Sequence, residues 1–539
     1  MEKRLIIAVI LSVVVIIGFQ VLFPQAKRTQ PPPESVTISP MGSESLPAEA
    51  YQEAAKASEK SFKKRQTAAE TERYILTFTN RGGSLTGIDL KDYTGSRADS
   101  PLSLVAGAEG NRAVLAIESN ALAKGLATRN FKLVKKERDK VVYAYSVPGR
   151  FQIVKEYSLY NSHDYIVLRV FIKNLGNNTL YRDYDILGAS GIKSTGLVMG
   201  RRFEEIDSMV DGKVMRTNKV KDGASFIKGI VSWTGVKERY FNVILKPQQD
   251  SEGVILKQFD KPDLASGIRT KRTPIYPGAT IEDSYVLYIG PNDLARLGSL
   301  GFGLEQIVNY GIFGGISKFL LVVLRAFHKV VKNWGVAIIM LTFLINLALF
   351  PLTRKSFVSM RKIQEVQPHI EKLRKVHKDN PQKLNKELAE LYRQYNVNPF
   401  GGCLPLLIQM PIFIALYQGL IRSIELKGAS FLWIKDLATP DSVHLPFSLP
   451  FLGNQIHLLP LLMVIAMFLQ QKISTKSSPV ASKEQQQQQK FMLIFFPLFF
   501  GFLFYNFPSG LVLYWLTNTV LMVIEHSAMR GKHATAATA

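Results

Sequence analysis

The chain has 539 residues, a formal net charge of +24, 47% hydrophobic residues and a single cysteine, Cys403. The length exceeds what one domain usually needs, and one cysteine excludes an intrachain disulfide. Cys403 reads as a small packing residue in an apolar stretch. The basic excess raises the question of nucleic acid, but the apolar residues are clumped, so the charges must first be sorted by compartment.

Leu5–Phe23 is a run of nineteen uncharged residues preceded by Lys3 and Arg4. As a helix it would reach about 28 Å, close to the thickness of a bilayer core. Phe23-Pro24-Gln25 is a poor cleavage site, so 1–24 reads as an uncleaved anchor with its N-terminus inside. Residues 25–72 are rich in Pro, Glu, Ser, Ala and Lys and read as a linker too polar to form a core.

From Tyr74 to Ile289 the texture changes to short alternating runs, such as Tyr74–Thr79, Val141–Tyr145, Tyr165–Ile172 and Tyr285–Tyr288. Turn residues punctuate them at Asn80-Arg81-Gly82-Gly83, Pro148-Gly149 and Asn174-Leu175-Gly176-Asn177. This pattern predicts a large antiparallel sandwich. It holds no Cys/His cluster, phosphate loop or nucleophile motif, and its Lys and Arg read as a solvated face. Residues 304–332 predict an amphipathic helix whose apolar run, Phe319–Leu324, is too short to span and suits a membrane–water interface.

Five further apolar segments follow, near 334–352, 404–422, 456–471, 491–507 and 510–526. The loops between them differ in charge. Residues 353–400 hold eleven Lys/Arg against five Asp/Glu, residues 471–490 hold four Lys and one Glu, and 423–457 has only two Lys. Alternate loops are basic, so six spans with both chain ends inside satisfy the positive-inside rule and export the region between the first two.

The basic 353–403 segment predicts a helical hairpin. Ile363, Val366, Ile370, Leu373 and Val376 recur at helical spacing, as do Leu384, Leu388, Leu391 and Tyr395. Asn380-Pro381 supplies an N-cap and a first-turn proline between them. Pro368 is expected to kink or divide the first helix. The charges of Arg361, Lys362, Lys372, Arg374, Lys375 and Lys378 carry two readings: a topology signal with a solvated face, or docking to an anionic partner such as ribosomal RNA or lipid headgroups.

Neutral polar residues interrupt the apolar segments: Thr342, Asn346, Gln409, Gln418, Trp515, Thr517, Asn518 and Thr519. Helix–helix hydrogen bonding is one reading of them. No Asp or Glu lies mid-span, which argues against a proton-coupled transporter. No HExxH, Gly-x-Ser-x-Gly or Asp pair argues for an intramembrane protease. His369 and His457 read as surface or packing residues, and the residues suggest no metal, cofactor or enzymatic activity. The other reading is a polar groove open to lipid, which would lower the cost of moving a polar segment part-way across. The short spans suit a thinned bilayer. With no ATP motif, burial of the passenger's apolar helix would drive the step.

Three stretches carry a resemblance to a known family: Asn398–Tyr417 (NPFGGCLPLLIQMPIFIALY), Phe507–Tyr514 (FPSGLVLY) and Phe350–Thr353 (FPLT). Together with the layout of an anchor followed by an exported β region, they resemble the YidC/Oxa/Alb family of membrane-protein insertases in its Gram-negative form. The resemblance implies a polytopic α-helical membrane protein with six transmembrane helices. Five of them form an insertase core over 334–529, beside an exported all-β supersandwich over 73–300, an interfacial helix over 301–333, a cytoplasmic hairpin over 353–403 and a short tail over 530–539. It implies a multi-pass protein of the bacterial inner membrane with a large periplasmic domain and cytoplasmic termini. Its expected partners are nascent membrane-protein segments, the ribosome, the Sec translocon (SecYEG, SecDF) and membrane lipids, and no DNA. Groove or substrate-contact roles carry over to Thr342, Gln409, Met410, Phe413 and Trp515. Asn346 stands where the family usually has an arginine, so the groove is expected to lack that cation. A small-solute transporter with an exported binding domain is the alternative, and a carbohydrate-binding role for the sandwich rests on fold analogy alone.

Overall fold

The computed structural model describes residues 63–94, 100–193, 203–259, 263–378, 380–398, 404–449, 453–475 and 483–536. The proposed anchor at 1–24, most of the 25–72 linker, Gly401-Gly402 and Cys403 lie outside these residues. The chain divides into two compact units, one of β-strands ending at Asn309 and one of helices beginning at Tyr310.

The β unit is built on a nine-stranded antiparallel sheet. Its order is Lys213–Thr217, Glu205–Val210, Val231–Lys237, Phe241–Pro247, Thr280–Pro291, Tyr165–Asn174, Phe151–Leu159, Lys140–Val147 and Lys132–Lys136. A five-stranded sheet, Ala224–Lys228, Ser251–Gln258, Leu264–Thr270, Asp185–Ala189 and Ile117–Glu118, packs against it. The two sheets approach closely at Gly188, where a Cβ would come within 2.4 Å of the Leu245 Cβ. Buried Trp233, Val243, Leu245, Ile268 and Leu287 fill the interior. All four runs read from the sequence are strands. The linker boundary is corrected: Gln66–Glu70 is already a strand, hydrogen-bonded to Tyr74–Thr79, because its small residues pair edge-on without needing an apolar face.

The Gly82-Gly83 turn has a clear physical cause. Both residues have positive φ (+68° and +53°), and a Cβ on Gly82 would lie 2.7 Å from the Ala127 carbonyl oxygen. Lys155, wholly buried, reaches under this turn: its Nζ donates to Gly82 O (3.0 Å), Ser84 Oγ (3.3 Å) and Leu115 O (2.7 Å). Tyr157 Oη donates to Gly83 O. Three acceptors fit an ammonium, but none of these partners is a carboxylate, and desolvation pushes Lys155 well below the usual lysine range.

The helical unit contains α2 (Gly314–Val331), α3 (Trp334–Val376), α4 (Pro381–Gln394), α5 (Leu404–Arg422), α6 (Leu458–Thr475), α7 (Lys483–Phe504) and α8 (Ser509–Ala536); the short α1 (Leu294–Ser299) belongs to the β unit. Several expectations are corrected. The predicted 304–332 helix begins only at Gly314, and its Ser317, Leu320, Leu321 and Leu324 are buried while Phe319 and Val322 are exposed. Its apolar residues surround much of the helix, so one side packs on α3 and α5 while the other stays bare. Pro368 does not divide the hairpin's first helix: α3 runs as one element of 43 residues through both Pro351 and Pro368, since a proline removes one backbone bond and its flanks can carry the helix on. The segment expected as a tail from 530 continues as helix to Ala536. The 423–457 segment contains a strand pair, Val443–Leu449 with Gly453–Ile456, that the sequence reading does not include.

Among the described residues, the 334–363 part of α3 is long and apolar enough to cross a membrane, and shorter apolar helices lie at Leu407–Arg422, Leu458–Ile473 and Phe491–Phe504. In the basic segment, Val366, Ile370 and Val397 are buried together, with Ile363, Leu388, Leu391 and Tyr392 packed on them. Val376 and Tyr395 fall outside this cluster and are exposed.

Candidate functional site

The site is organised by α8. Its first turn is tied to the loop between α5 and α6: Ser509 N and Oγ both donate to Thr439 O (2.8 and 2.7 Å), and Gly510 N donates to Leu437 O (2.9 Å). One turn further on, Tyr514 and Asn518 stand four residues apart and so share a face. Tyr514 Oη accepts from Gln409 Nε2 on α5. Asn518 Oδ1 accepts from Asn346 Nδ2 on α3 at 2.9 Å. Two polar bridges therefore run from one face of α8 to two different helices.

On α3 the polar pair is also spaced by four. Asn333 caps the helix, accepting from Val336 N. Thr342 Oγ1 donates to Ile338 O (2.7 Å), and Asn346 Nδ2 donates to Thr342 O (2.9 Å) as well as to Asn518. Thr342 satisfies its own hydroxyl within the helix and is fully buried. Interhelical bonds of this kind are worth about 0.6 kcal/mol on average, enough to choose a packing and weak enough to be exchanged.

Trp515 follows Tyr514 but faces an aromatic cluster instead. Its ring meets Phe413 edge-on (centroids 4.8 Å apart, 85°) and packs on Phe504 (5.2 Å) and Phe500 (5.7 Å). Met410, next to buried Gln409, is 43% exposed. The structure thus couples Asn346 to α8, Gln409 to α8 and Phe413 to Trp515, while Thr342 turns back on its own helix. Gln418 does not join them: Arg422, one turn along α5, donates to its carbonyl and side-chain oxygens.

Arg361, Lys362, Lys372, Arg374, Lys375 and Lys378 are all exposed on the far end of α3 and the turn after it. Arg361 faces Glu365 at 3.4 Å, a solvated pair of little energetic weight.

Two polar groups that organise these helices escape a reading of the sequence. Tyr514 is missed because a tyrosine inside FPSGLVLY reads as apolar packing. Asp441 is missed because its work is distant in the chain: its Oδ2 accepts from Trp433 Nε1 (3.1 Å) and from Leu459 N (2.9 Å), capping the first turn of α6 from the loop. The same loop is clasped to α2 by an Arg325–Glu425 ion pair (2.6 Å), with Ser423 Oγ donating to Glu425 Oε2 (2.8 Å).

Comparison with known proteins also divides the chain into two parts, meeting within α2. The family model described as 60Kd inner membrane protein matches residues 326–536, and the one described as YidC periplasmic domain matches residues 66–323. The membrane protein insertase YidC of Pelobacter propionicus is 33% identical over 547 residues, covering 97% of this chain and 98% of that protein. Its namesake in Geobacter metallireducens is 32% identical over 562 residues, covering 99% of each. A crystal structure of an active YidC insertase with its first transmembrane domain resolved matches 86% of this chain and 92% of its own at 18% identity, with a TM-score of 0.35. On the identity of its relatives over nearly their whole length, the chain belongs to the YidC family of membrane protein insertases.

Proposed function

We propose that the chain inserts and folds proteins of the bacterial inner membrane through a hydrophilic groove walled by α3, α5 and α8, working alone or beside the Sec translocon. The observation that carries this reading is the pair of neutral bridges, Asn346–Asn518 and Gln409–Tyr514, set in predominantly apolar stretches of three helices. Lipid-facing helices have no use for buried amides, which cost free energy unless paired. A passenger that offers its own hydrogen-bonding groups can take the place of either partner. Six spans, counting Leu5–Phe23, would hold the β unit in the periplasm and both termini in the cytoplasm, as the basic 353–400 and 471–490 segments require. The packed pair formed by the end of α3 and α4 would then stand in the cytoplasm, its six exposed cations available to a ribosome or to lipid headgroups.

The test is photo-crosslinking to a ribosome-bound membrane segment. A photoreactive residue at Met410, which is 43% exposed, should capture the nascent chain strongly. One at Thr342, which is fully buried, should capture it only if the groove opens during insertion. Absence of capture at both positions in the folded protein would remove the groove from this account.

A further inference from the structure

The bridge between α3 and α8 leaves specific atoms unspent. Asn346 uses both Nδ2 hydrogens, on Thr342 O and on Asn518 Oδ1. Among the described residues, Asn346 Oδ1 and Asn518 Nδ2 meet no partner, and neither residue is sealed: they are 9% and 7% exposed. Along their own helices Asn346 has Thr342 one turn away, and Asn518 has Tyr514 one turn away and Thr519 beside it; Tyr514 in turn accepts from Gln409, and none of these carries a charge. The site therefore presents one free carbonyl and one free amide whose polar neighbours, Thr342, Tyr514 and Thr519, are all uncharged. A hydroxyl, a carboxamide or a backbone amide can pair with both atoms. A carboxylate could use only the donor and an ammonium only the acceptor, and either would remain an uncompensated charge in a poorly solvated place.

We propose that the Asn346–Asn518 amide pair is the selecting element of the groove, admitting passenger segments whose polar groups are uncharged and disfavouring ionised ones. This rests on the insertase reading and adds the class of passenger. The bond is also exchangeable without any net charge entering or leaving, so the pair closes again when the passenger moves into lipid.

The test uses the full-length chain in liposomes of phosphatidylethanolamine and phosphatidylglycerol without a membrane potential, since a potential acts directly on charges. Three single-span passengers differ only in one residue of the flank to be translocated: Gln, Glu or Lys. Protease protection of the flank reports insertion. The Gln passenger should exceed each of the others by about tenfold. Because lipid alone also penalises charge, the decisive reading is a shift with the protein. Asn346→Arg should raise the Glu passenger relative to Gln, and Asn518→Asp should raise the Lys passenger. Equal insertion of all three by the native chain, or ratios unmoved by both variants while the Gln passenger still inserts, overturns the proposal. Failure of the native chain to insert any passenger overturns the insertase reading and this inference with it.

Discussion

At the level of single residues, the groove we propose is a set of partnerships rather than a set of polar side chains. Phe413 is picked out only by the family resemblance, whereas Asn346, Gln409 and Trp515 stand out in the sequence because each is an odd residue in an apolar run. What each one touches does not: Asn346 meets Asn518 and Gln409 meets Tyr514 across 172 and 105 residues of chain, and no local periodicity encodes such pairings. A hint does exist, since Tyr514 and Asn518 are spaced by four, as are Thr342 and Asn346, so two polar faces were available to meet. Replacing one member should be worse than replacing both. Gln409→Leu leaves Tyr514 Oη buried with no partner and should lower insertion and melting temperature more than the Gln409→Leu/Tyr514→Phe double variant does, by about 1 kcal/mol. Additive losses in a double-mutant cycle would mean that the contact has no energetic content. For the same reason Asn346→Leu should impair insertion of neutral passengers.

At the level of elements, helix positions were legible and helix lengths were not. The five apolar segments all fall in helices, because hydrophobic runs and helix-forming residues coincide there. The ends moved because a polar sequence such as Lys483–Lys490 can continue a helix once an apolar partner has nucleated it. The strand pair at 443–456 stayed hidden because His, Pro and Asn interrupt its alternation. The end of α3 and α4 pack through few residues, so they are sensitive to small losses. Ile370→Ala should cost about 2–4 kcal/mol, enough to make 380–398 susceptible to limited proteolysis while α6–α8 stay protected. Charge reversal of Lys372, Arg374, Lys375 and Lys378 to Glu should weaken co-sedimentation with ribosomes, and the difference should shrink as salt rises. Undiminished binding at low salt would leave the basic residues as a topology signal alone.

At the level of the whole molecule, the two compact units should lose structure independently. Lys155 offers a way to address one of them. Its folded-state pKa is depressed, so between that value and lysine's usual range the unfolded chain binds the extra proton. Stability contributed by the β unit therefore rises with pH across that window and falls as pH drops through it. Lys155→Met deprives Gly82 O, Ser84 Oγ and Leu115 O of their donor and should cost about 2 kcal/mol near the alkaline end. The gap to the native chain should narrow toward neutral pH, because only the native chain carries the titrating group. Calorimetry of the full-length protein in detergent should show this in one transition, leaving the other where it was. A shift of both transitions would mean that the units are energetically joined. The sandwich itself was readable because alternation and turn residues agree throughout; a buried lysine was not, because nothing in VKEYSLY distinguishes an inward Lys155 from a solvated one.

The unbroken course of α3 has a mechanical meaning. Asn346 and Ile370 lie on one rod, about 36 Å apart along its axis. Pro351 and Pro368 each take one backbone bond out of that rod and so act as compliant joints near its two working ends. A displacement of the basic end would then be expected to travel as tilt rather than through loosened loops, with the stiffness of the stretch between the two prolines setting how much of it arrives at Asn346. Alanine at Pro351 should stiffen the near joint, and distance measurements between spin labels at 346 and 372 would show a narrower distribution.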